Sequence, residues 1–444
     1  MRLYAEILRL PGAAAFCVAA LVTRAGGAMM SIGTVMMITG IYGSYGLAGA
    51  VVAVNGVGWS IGAAFLGNLV DRYGQRRIML PSSLISCGSL GLLVVAGSLR
   101  LAPWTLFLLT FISGATAGTV GAYARARWAF VARNQGQLHA ALSLESTLDE
   151  LTFVVGPVVA TVLATQVADI AGLIPPVVLG ALGALWFYNQ RATEPPVRPR
   201  ASVSASVPDG AEAVGGVGGG GGASAGEVDG AGGAGGIGYH GPILFSPGVL
   251  PVAVATLLVG IGFGAIDVSV VAAVEAWGNK ADASWVLALM SLGSALAGLL
   301  YGTKVWRLSL PKRWVISMTA LAAGFACYPV MPSAVVLGIF GFVAGATVAP
   351  TFINANSLVQ VMVPNRRLTE GLAWIATGVG VGCAAGAAIA GRLIDAYGYR
   401  VAFFTVLTAG AGALAITVLS AKAVNRAVRA GAAERGAMRR RDGG

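Results

Sequence analysis

Charged residues are scarce in this sequence. Asp, Glu, Lys and Arg make up 11% of its 444 residues, whereas a soluble protein carries about 25%. Hydrophobic residues make up 56%. This composition excludes an ordinary soluble protein and predicts a multi-pass protein of the cell membrane. The net charge of +11 comes from loops and tails, with no basic stripe among exposed aromatics, so we expect no nucleic-acid partner.

Residues that bind metals or carry redox chemistry are rare as well. The two histidines, His139 and His240, are isolated, and the four cysteines lie far apart in hydrophobic segments. Neither set has the spacing of a metal or redox site, so we expect no metal and no cofactor. The phosphate-binding pattern G-x-x-x-x-G-K-[ST] is missing too, so ATP is not the expected energy source.

Long hydrophobic runs are abundant, and each of about twelve is long enough to cross a bilayer as a helix of roughly 20 residues. The first run is too long for the hydrophobic core of a signal peptide, so we interpret it as a retained transmembrane helix. The predicted cores are 14–40, 45–66, 78–98, 102–123, 142–166, 169–188, 249–275, 284–303, 314–331, 333–354, 370–390 and 401–421.

A glycine-rich segment divides these runs into two sets of six. Between Gly210 and Gly238, 15 of 29 residues are glycine, a composition that builds no packed core. The sequence therefore predicts a six-helix bundle over 1–190, a flexible linker over 191–242, a second six-helix bundle over 243–421 and a basic tail over 422–444. We expect this tail to contact anionic membrane lipids.

The distribution of positive charge predicts the topology. With both termini in the cytoplasm, Arg24 falls inside the membrane and few of the 29 Lys and Arg residues fall on the outer side. The outer ones are Arg100, Lys280, Arg392 and Arg400. Since cytoplasmic loops are enriched in Lys and Arg, this bias favours an even number of spans and this orientation.

The join between the second and third spans, 67–77, carries the most specific motif; we call it the latch segment. Its sequence is expected to form a short cytoplasmic loop, with glycines for a tight turn or close approach and charges that hold two bundles together. Its residues of interest are Gly67, Asp71, Arg72, Gly74, Arg76 and Arg77. An ordinary basic turn that only sets topology is the alternative.

The pattern G-x-L-x-D-R-x-G-x-R-R at this position resembles the loop between helices 2 and 3 of the major facilitator superfamily. Internal repeats support the resemblance, because residues 138–163 match 368–393 without gaps and 391–400 repeat the start of the latch segment. The resemblance implies an all-α membrane protein with that family's fold: twelve transmembrane helices in two pseudo-symmetric six-helix halves. It also implies transport by alternating access around a central cavity.

Ionisable residues inside membrane helices are costly, so each is a candidate for function. Arg24 in span 1 is expected to hold an anionic substrate, pair with a carboxylate or extend to the interface. Glu145 and Asp149 share one face of span 5, whereas Glu150 points elsewhere.

Two close carboxylates in a low-dielectric site can share one proton, which suits a proton-coupled carrier. The alternative is that these acids lie near the helix start and pair with Arg125, Arg127 or Arg133. Asp267, after the glycines of span 7, is expected to face the cavity.

Gly156 and Pro157 in span 5 resemble the Gly-Pro motif of the antiporter branches of the family, although Thr152 stands where the family has an earlier glycine. Physically, Pro157 removes a backbone hydrogen bond and favours a kink, which a purely structural role explains equally well. The family's arginine in span 4 is absent, with Thr110 at the corresponding place, which puts family-style proton coupling in doubt.

Taken together, the sequence predicts a monomeric secondary transporter that exports a small organic compound, such as a drug or metabolite, in exchange for protons. Import or uniport is the alternative within this class. A membrane-embedded enzyme would need clustered catalytic groups, and a membrane sensor would need a folded soluble domain; the sequence offers neither, so we do not expect an enzyme.

Overall fold

The computed structural model describes residues 2–196, 243–246, 248–303, 306–364 and 368–442. Within helices, some side chains lie outside the described part, among them those of Asp71 and Glu150. The chain forms two compact units, Met1–Gly221 and Gly222–Gly444. Most of the predicted linker, 197–242, lies outside the described residues. Regular structure in the described residues is entirely helical.

In its described residues, the first unit contains six membrane helices after a short helix at Arg2–Leu8. The fourth helix is in two pieces. The helices are α1 (Ala13–Tyr42), α2 (Tyr45–Tyr73), α3 (Gln75–Ser98), α4a (Pro103–Ala117), α4b (Val120–Val131), α5 (Gln135–Gln166) and α6 (Ile174–Asn189).

The second unit also contains six, and again the fourth of them is in two pieces. They are α7 (Val249–Ala276), α8 (Ala283–Thr303), α9 (Leu310–Cys327), α10a (Ala334–Gly345), α10b (Val348–Met362), α11 (Leu368–Tyr397) and α12 (Tyr399–Asp442). Eleven helical stretches in the described residues are long and apolar enough to cross a membrane. The twelfth, α9, carries Lys312 and Arg313 in its first turn, which lowers its mean hydropathy. The predicted twelve-helix, all-α fold is confirmed.

The latch segment is not the loop that we expected. Helix α2 continues through Tyr73, and α3 begins at Gln75, so Gly74 alone separates them. Gly74 has φ 91° and ψ 157°, a backbone conformation that costs glycine little, and its N–H still donates to the carbonyl of Val70 at 2.8 Å. Polar residues end the hydrophobic run here, but the backbone hydrogen bonds of the helix continue beyond it.

Span 4 is interrupted, which the continuous prediction over 102–123 missed. Helix α4a ends at Ala117, and α4b begins at Val120. Between them Gly118 has φ 68°, in the left-handed region that favours glycine. Span 10 is also in two pieces, between Gly345 and Val348, but there Ala346 and Thr347 keep right-handed helical backbone angles. The break in span 4 is therefore the sharper of the two.

The last helix extends far beyond the predicted end of span 12 at residue 421. Helix α12 is continuous for 44 residues, through the predicted basic tail to Asp442. Alanine and arginine, which recur in this segment, are among the best helix formers. A side chain at Gly431 would collide with the carbonyl of Val361, so this part of the tail packs closely against α10b.

The part of the first unit's core that lies towards Gly74 is built of aromatic side chains. Phe16 lies edge-on to Trp128 with ring centroids 4.7 Å apart, and Phe187 contacts Tyr188 at 5.0 Å. All four side chains are fully buried. This aromatic cluster packs α1, α4b and α6 against one another. Two of these helices, α1 and α4b, carry residues of the candidate site described next.

Candidate functional site

Arg24 on α1 pairs with two carboxylates of α5. Its Nη2 lies 2.6 Å from Oε2 of Glu145, and its Nη1 lies 2.7 Å from Oδ1 of Asp149. The Glu145 side chain is fully buried, Arg24 is 10% exposed and Asp149 is 26% exposed. The two acids reach one guanidinium because residues four apart share a helix face.

Arg125 on α4b completes the cluster from the other side. Its Nη2 lies 2.6 Å from Oδ2 of Asp149, so each oxygen of this carboxylate faces a different guanidinium. Behind them, the Trp128 indole N–H donates to Oε1 of Glu145 at 2.8 Å. Two positive and two negative charges balance, which is the condition for keeping ionised groups in a low-dielectric interior.

A cavity of about 630 Å³ borders this cluster in the first unit. Arg24, Arg125 and Asp149 line it, whereas Glu145 does not. The other lining groups are polar hydroxyl and amide side chains together with apolar and aromatic ones. Among them are Asn55, Ser86, Ser113 and Thr152, and Met30, Trp59, Leu90 and Phe153. A mostly apolar pocket with a few converging polar groups is the usual form of a small-molecule site.

The break in span 4 lies in the wall of the same cavity. Gly118, Thr119 and Gly121 all line it, and the Trp59 indole N–H donates to the Gly118 carbonyl at 3.2 Å. A Cβ at Gly121 would lie 3.3 Å from Nη1 of Arg125 and 3.9 Å from Oδ1 of Asp149. The first turn of α4b is therefore in contact with the charged cluster.

Arg127, which sequence reasoning considered as a partner for the α5 acids, lies elsewhere. It is fully buried, its Nε donates to Gln75 at 3.0 Å, and its Nη1 donates to the hydroxyl of Thr193 at 3.0 Å. Its guanidinium carbon lies 4.0 Å from the centre of the Phe187 ring. Residues two apart on a helix point in different directions, so Arg125 and Arg127 serve different partners.

The latch residue Arg76 contacts the last residue of α6 and the segment that follows this helix. The backbone N–H of Arg76 donates to Oε1 of Glu194 at 2.9 Å, and its Nε donates to Oδ1 of Asn189 at 3.1 Å. Arg72 and Arg77 are exposed. A Cβ at Gly67 would meet nothing within 4 Å, so the described structure shows no close approach there. The side chain of Asp71 lies outside the described part.

The Gly156-Pro157 pair lies within a continuous α5. A Cβ at Gly156 would lie 2.9 Å from the Cβ of Ala28, so this glycine lets α1 and α5 pack closely. Pro157 does not end the helix, which continues to Gln166. Glu150 lies on the same helix, and its side chain is outside the described residues.

Asp267 in α7 stands apart from the cluster and belongs to the second unit. Its side chain is half-buried, and no described residue gives it a hydrogen bond or an ion pair. Among the described residues, the titratable groups Tyr328 and Cys383 lie close enough to feel its charge. Of the five ionisable residues predicted from the sequence, Arg24, Glu145 and Asp149 therefore belong to the charged cluster of the first unit, whereas Asp267 lies in the second unit. The side chain of Glu150 is outside the described part.

Comparisons with known proteins agree with this architecture. The family model described as Major Facilitator Superfamily matches residues 16–227 and 252–441. A comparison with the curated proteins finds no match to this sequence.

Solved structures similar to this chain include the nucleoside transporter NupG, with a TM-score of 0.68 at 13% identity, covering 93% of this chain and 98% of that one. A POT family peptide transporter has a TM-score of 0.63 at 13% identity, covering 94% and 97%. The human organic anion transporter MFSD10 has a TM-score of 0.59 at 12% identity, covering 91% and 98%.

Proposed function

This chain belongs to the major facilitator superfamily and is a secondary transporter rather than an enzyme, and we propose that it exports a small organic compound in exchange for protons. The orientation in the proposal is that of the charge bias, with both termini in the cytoplasm of a cell-membrane protein that works as a monomer. The neighbouring structures bear on the fold alone, because their identity to this chain is 12–13%.

The observation that carries the proposal is the charged cluster of Arg24, Arg125, Glu145 and Asp149 at the wall of the 630 Å³ cavity. A packed structural ion pair needs no adjacent space, whereas a substrate site does. Intramembrane charges next to a cavity are a general mark of a transport path. We therefore assign substrate binding to this cavity.

The proton is assigned to Asp267. Glu145 and Asp149 are each paired with an arginine, so neither is the acid to which we assign the transported proton. Within the part of the chain that the structure describes, Asp267 has no such countercharge, and its titratable neighbours Tyr328 and Cys383 are not basic. A carboxyl group in this setting can bind a proton in one access state and release it in the other. Alternating access to each side of the membrane would thus load and release one proton.

Export is favoured by the Gly156-Pro157 pair, which resembles the motif of the antiporter branches and lies where α5 packs on α1. The latch segment would act at the cytoplasmic face, where Arg76 already bonds Glu194 and Asn189, while the exposed Arg72 and Arg77 are available to other partners. The basic end of α12 would contact anionic lipid headgroups.

The test is transport of a compound panel into inside-out vesicles, with and without an interior made acidic. We expect accumulation that depends on the acid interior and is lost in Asp267→Asn, while the matched exposed-acid control Asp395→Asn behaves as wild type. Flux that ignores the pH gradient for every compound would refute proton coupling. Accumulation only in right-side-out vesicles, driven by external acid, would show import instead.

A further inference from the structure

Among the described residues, three charged side chains face the cavity of the first unit, and two of them are positive. Arg24, Arg125 and Asp149 line it, while Glu145 lies behind Arg24 and is fully buried. The surface that a ligand meets is therefore positive, although the whole cluster is neutral. A cavity wall with an excess of one sign favours ligands of the opposite sign.

We infer that this cavity binds an organic anion, whose carboxylate takes the place of Asp149 between the guanidiniums of Arg24 and Arg125. The inference rests on the proposed role of the cavity as the substrate site. Oδ1 of Asp149 lies 2.7 Å from Arg24 and Oδ2 lies 2.6 Å from Arg125, so the site already holds a two-oxygen anion. A ligand carboxylate has the same two oxygens and the same preference for charged donors.

Asp149 can leave without dismantling the site. It is the most exposed of the three residues that form the ion pairs of Arg24, at 26%, and it is the one of the two acids that lines the cavity. When it moves away, Glu145 still holds Arg24 at 2.6 Å and the Trp128 indole still holds Glu145. The Arg24 side chain is thus kept in place while its second carboxylate is exchanged.

The start of α4b adds a second source of positive potential at the same point. This 12-residue helix begins at Val120 beside the cavity, its N-cap residue Thr119 makes no side-chain cap, and Gly121 lies against Arg125 and Asp149. Helix N-termini carry a partial positive charge and bind anions through their free N–H groups. Gly118, at φ 68°, is the residue that permits this break in the helix.

The other side chains that line the cavity indicate the chemistry of the uncharged part of the ligand. Trp59, Phe153, Met30 and Leu90 supply apolar and aromatic surface, and Ser86 and Ser113 supply hydroxyl groups. A volume of about 630 Å³ fits a ligand the size of a drug or metabolite. The class is therefore a monoanion on an aromatic or apolar body. An organic cation is disfavoured because Asp149, the carboxylate that lines the described part of the cavity, is already held by two arginines.

The inference is tested by equilibrium binding to the purified full-length protein in detergent, with no gradient present. The probes are three molecules of matched size: 2-naphthoate, 2-naphthamide and 2-naphthylmethylammonium. We expect 2-naphthoate to bind at least about tenfold more tightly than the other two, since one hydrogen bond to a charged group raises the affinity by about a factor of ten or more. Equal affinities, a preference for the ammonium ion, or no binding of 2-naphthoate at millimolar concentration would overturn the inference.

Two substitutions separate an anion site from a merely structural ion pair. Asp149→Asn removes the internal competitor, so it is expected to tighten 2-naphthoate binding by about tenfold or more. Arg125→Gln removes one guanidinium and is expected to weaken it by a similar factor, whereas the exposed Arg133→Gln is the matched control and leaves it unchanged. Weaker binding by Asp149→Asn, in protein that elutes as wild type from a sizing column, would contradict the exchange of carboxylates.

This result is separable from that of the transport test. Binding selectivity is read without a pH gradient, and the proton assignment is read from Asp267→Asn in vesicles. Anion binding with gradient-independent flux would overturn proton coupling and leave the ligand class standing. Gradient-dependent flux of neutral or cationic compounds, without anion binding, would overturn the ligand class and leave the coupling standing.

Discussion

The interaction between Arg24 and Glu145 should be measurable as a large coupling energy. Glu145 is fully buried, its carboxylate lies 2.6 Å from Arg24, and both side chains have further partners in the cluster. Arg24→Gln leaves two carboxylates facing one arginine, and Glu145→Gln leaves two arginines facing one carboxylate. Breaking a buried pair by removing one partner costs about 3–5 kcal/mol.

The double variant is expected to cost much less than the sum of the two single ones. With both charges removed, Arg125 and Asp149 remain as a neutral pair, 2.6 Å apart. The coupling energy should therefore be about 2–3 kcal/mol. Each single variant should lower the apparent midpoint of thermal unfolding by roughly 10 °C, at about 2–4 °C per kcal/mol for a unit of this size.

The measurement is thermal unfolding of the full-length protein in detergent, followed by tryptophan fluorescence for wild type, both single variants and the double variant. The same cycle on Lys280 and Glu275, which lie 3.6 Å apart at a more exposed position, is the control and should give at most about 1 kcal/mol of coupling. Additive effects of Arg24→Gln and Glu145→Gln would refute the reasoning, because they would mean that the two charges do not stabilise each other.

Two further predictions concern the break in span 4 and the buried Arg127 of α4b. Gly118→Ala should lower the free energy of unfolding by about 1–2 kcal/mol or more, because the residue has a positive φ. The added methyl group would also collide with Met79, so transport should fall. In the control, Gly43→Ala, the residue has a positive φ too, but its methyl group meets open space and transport should be retained. If both variants behave alike, the collision has no role. Arg127→Met removes three hydrogen bonds and a ring contact, so it should lower the free energy of unfolding by about 3 kcal/mol, whereas Arg133→Gln at an exposed site should not change it. Equal thermal midpoints for these two variants would show that burial of Arg127 contributes no stability.

The twelve spans could be predicted from sequence because hydropathy and length act locally along the chain. The shared face of Glu145 and Asp149 was equally predictable, since it follows from helix geometry over one turn. The pairing of Arg24 with Asp149 was not, because the two residues are 125 positions apart and only packing of α1 on α5 brings them together. For the same reason the sequence left three arginines open as partners of these acids, and the structure selects Arg125.

The interruptions of spans 4 and 10 had no usable signal. The chain contains 65 glycines, and nothing local distinguishes Gly118 from those that remain helical. In the latch segment the signal is misleading, because its polar residues predict an end of the helix that the backbone does not have. Hydropathy reports where a chain leaves hydrocarbon, but backbone hydrogen bonds decide where a helix stops, and these continue to Gly74.

The uninterrupted α12 has a mechanical consequence. A helix of 44 residues is about 66 Å long, more than twice the roughly 30 Å of a hydrocarbon layer. A large part of it must therefore extend beyond the lipid, and this part packs against α10b at Gly431. Small rocking of its embedded half would be magnified at the far tip, so a fluorophore attached there would report tilting of this bundle as a displacement of many ångströms.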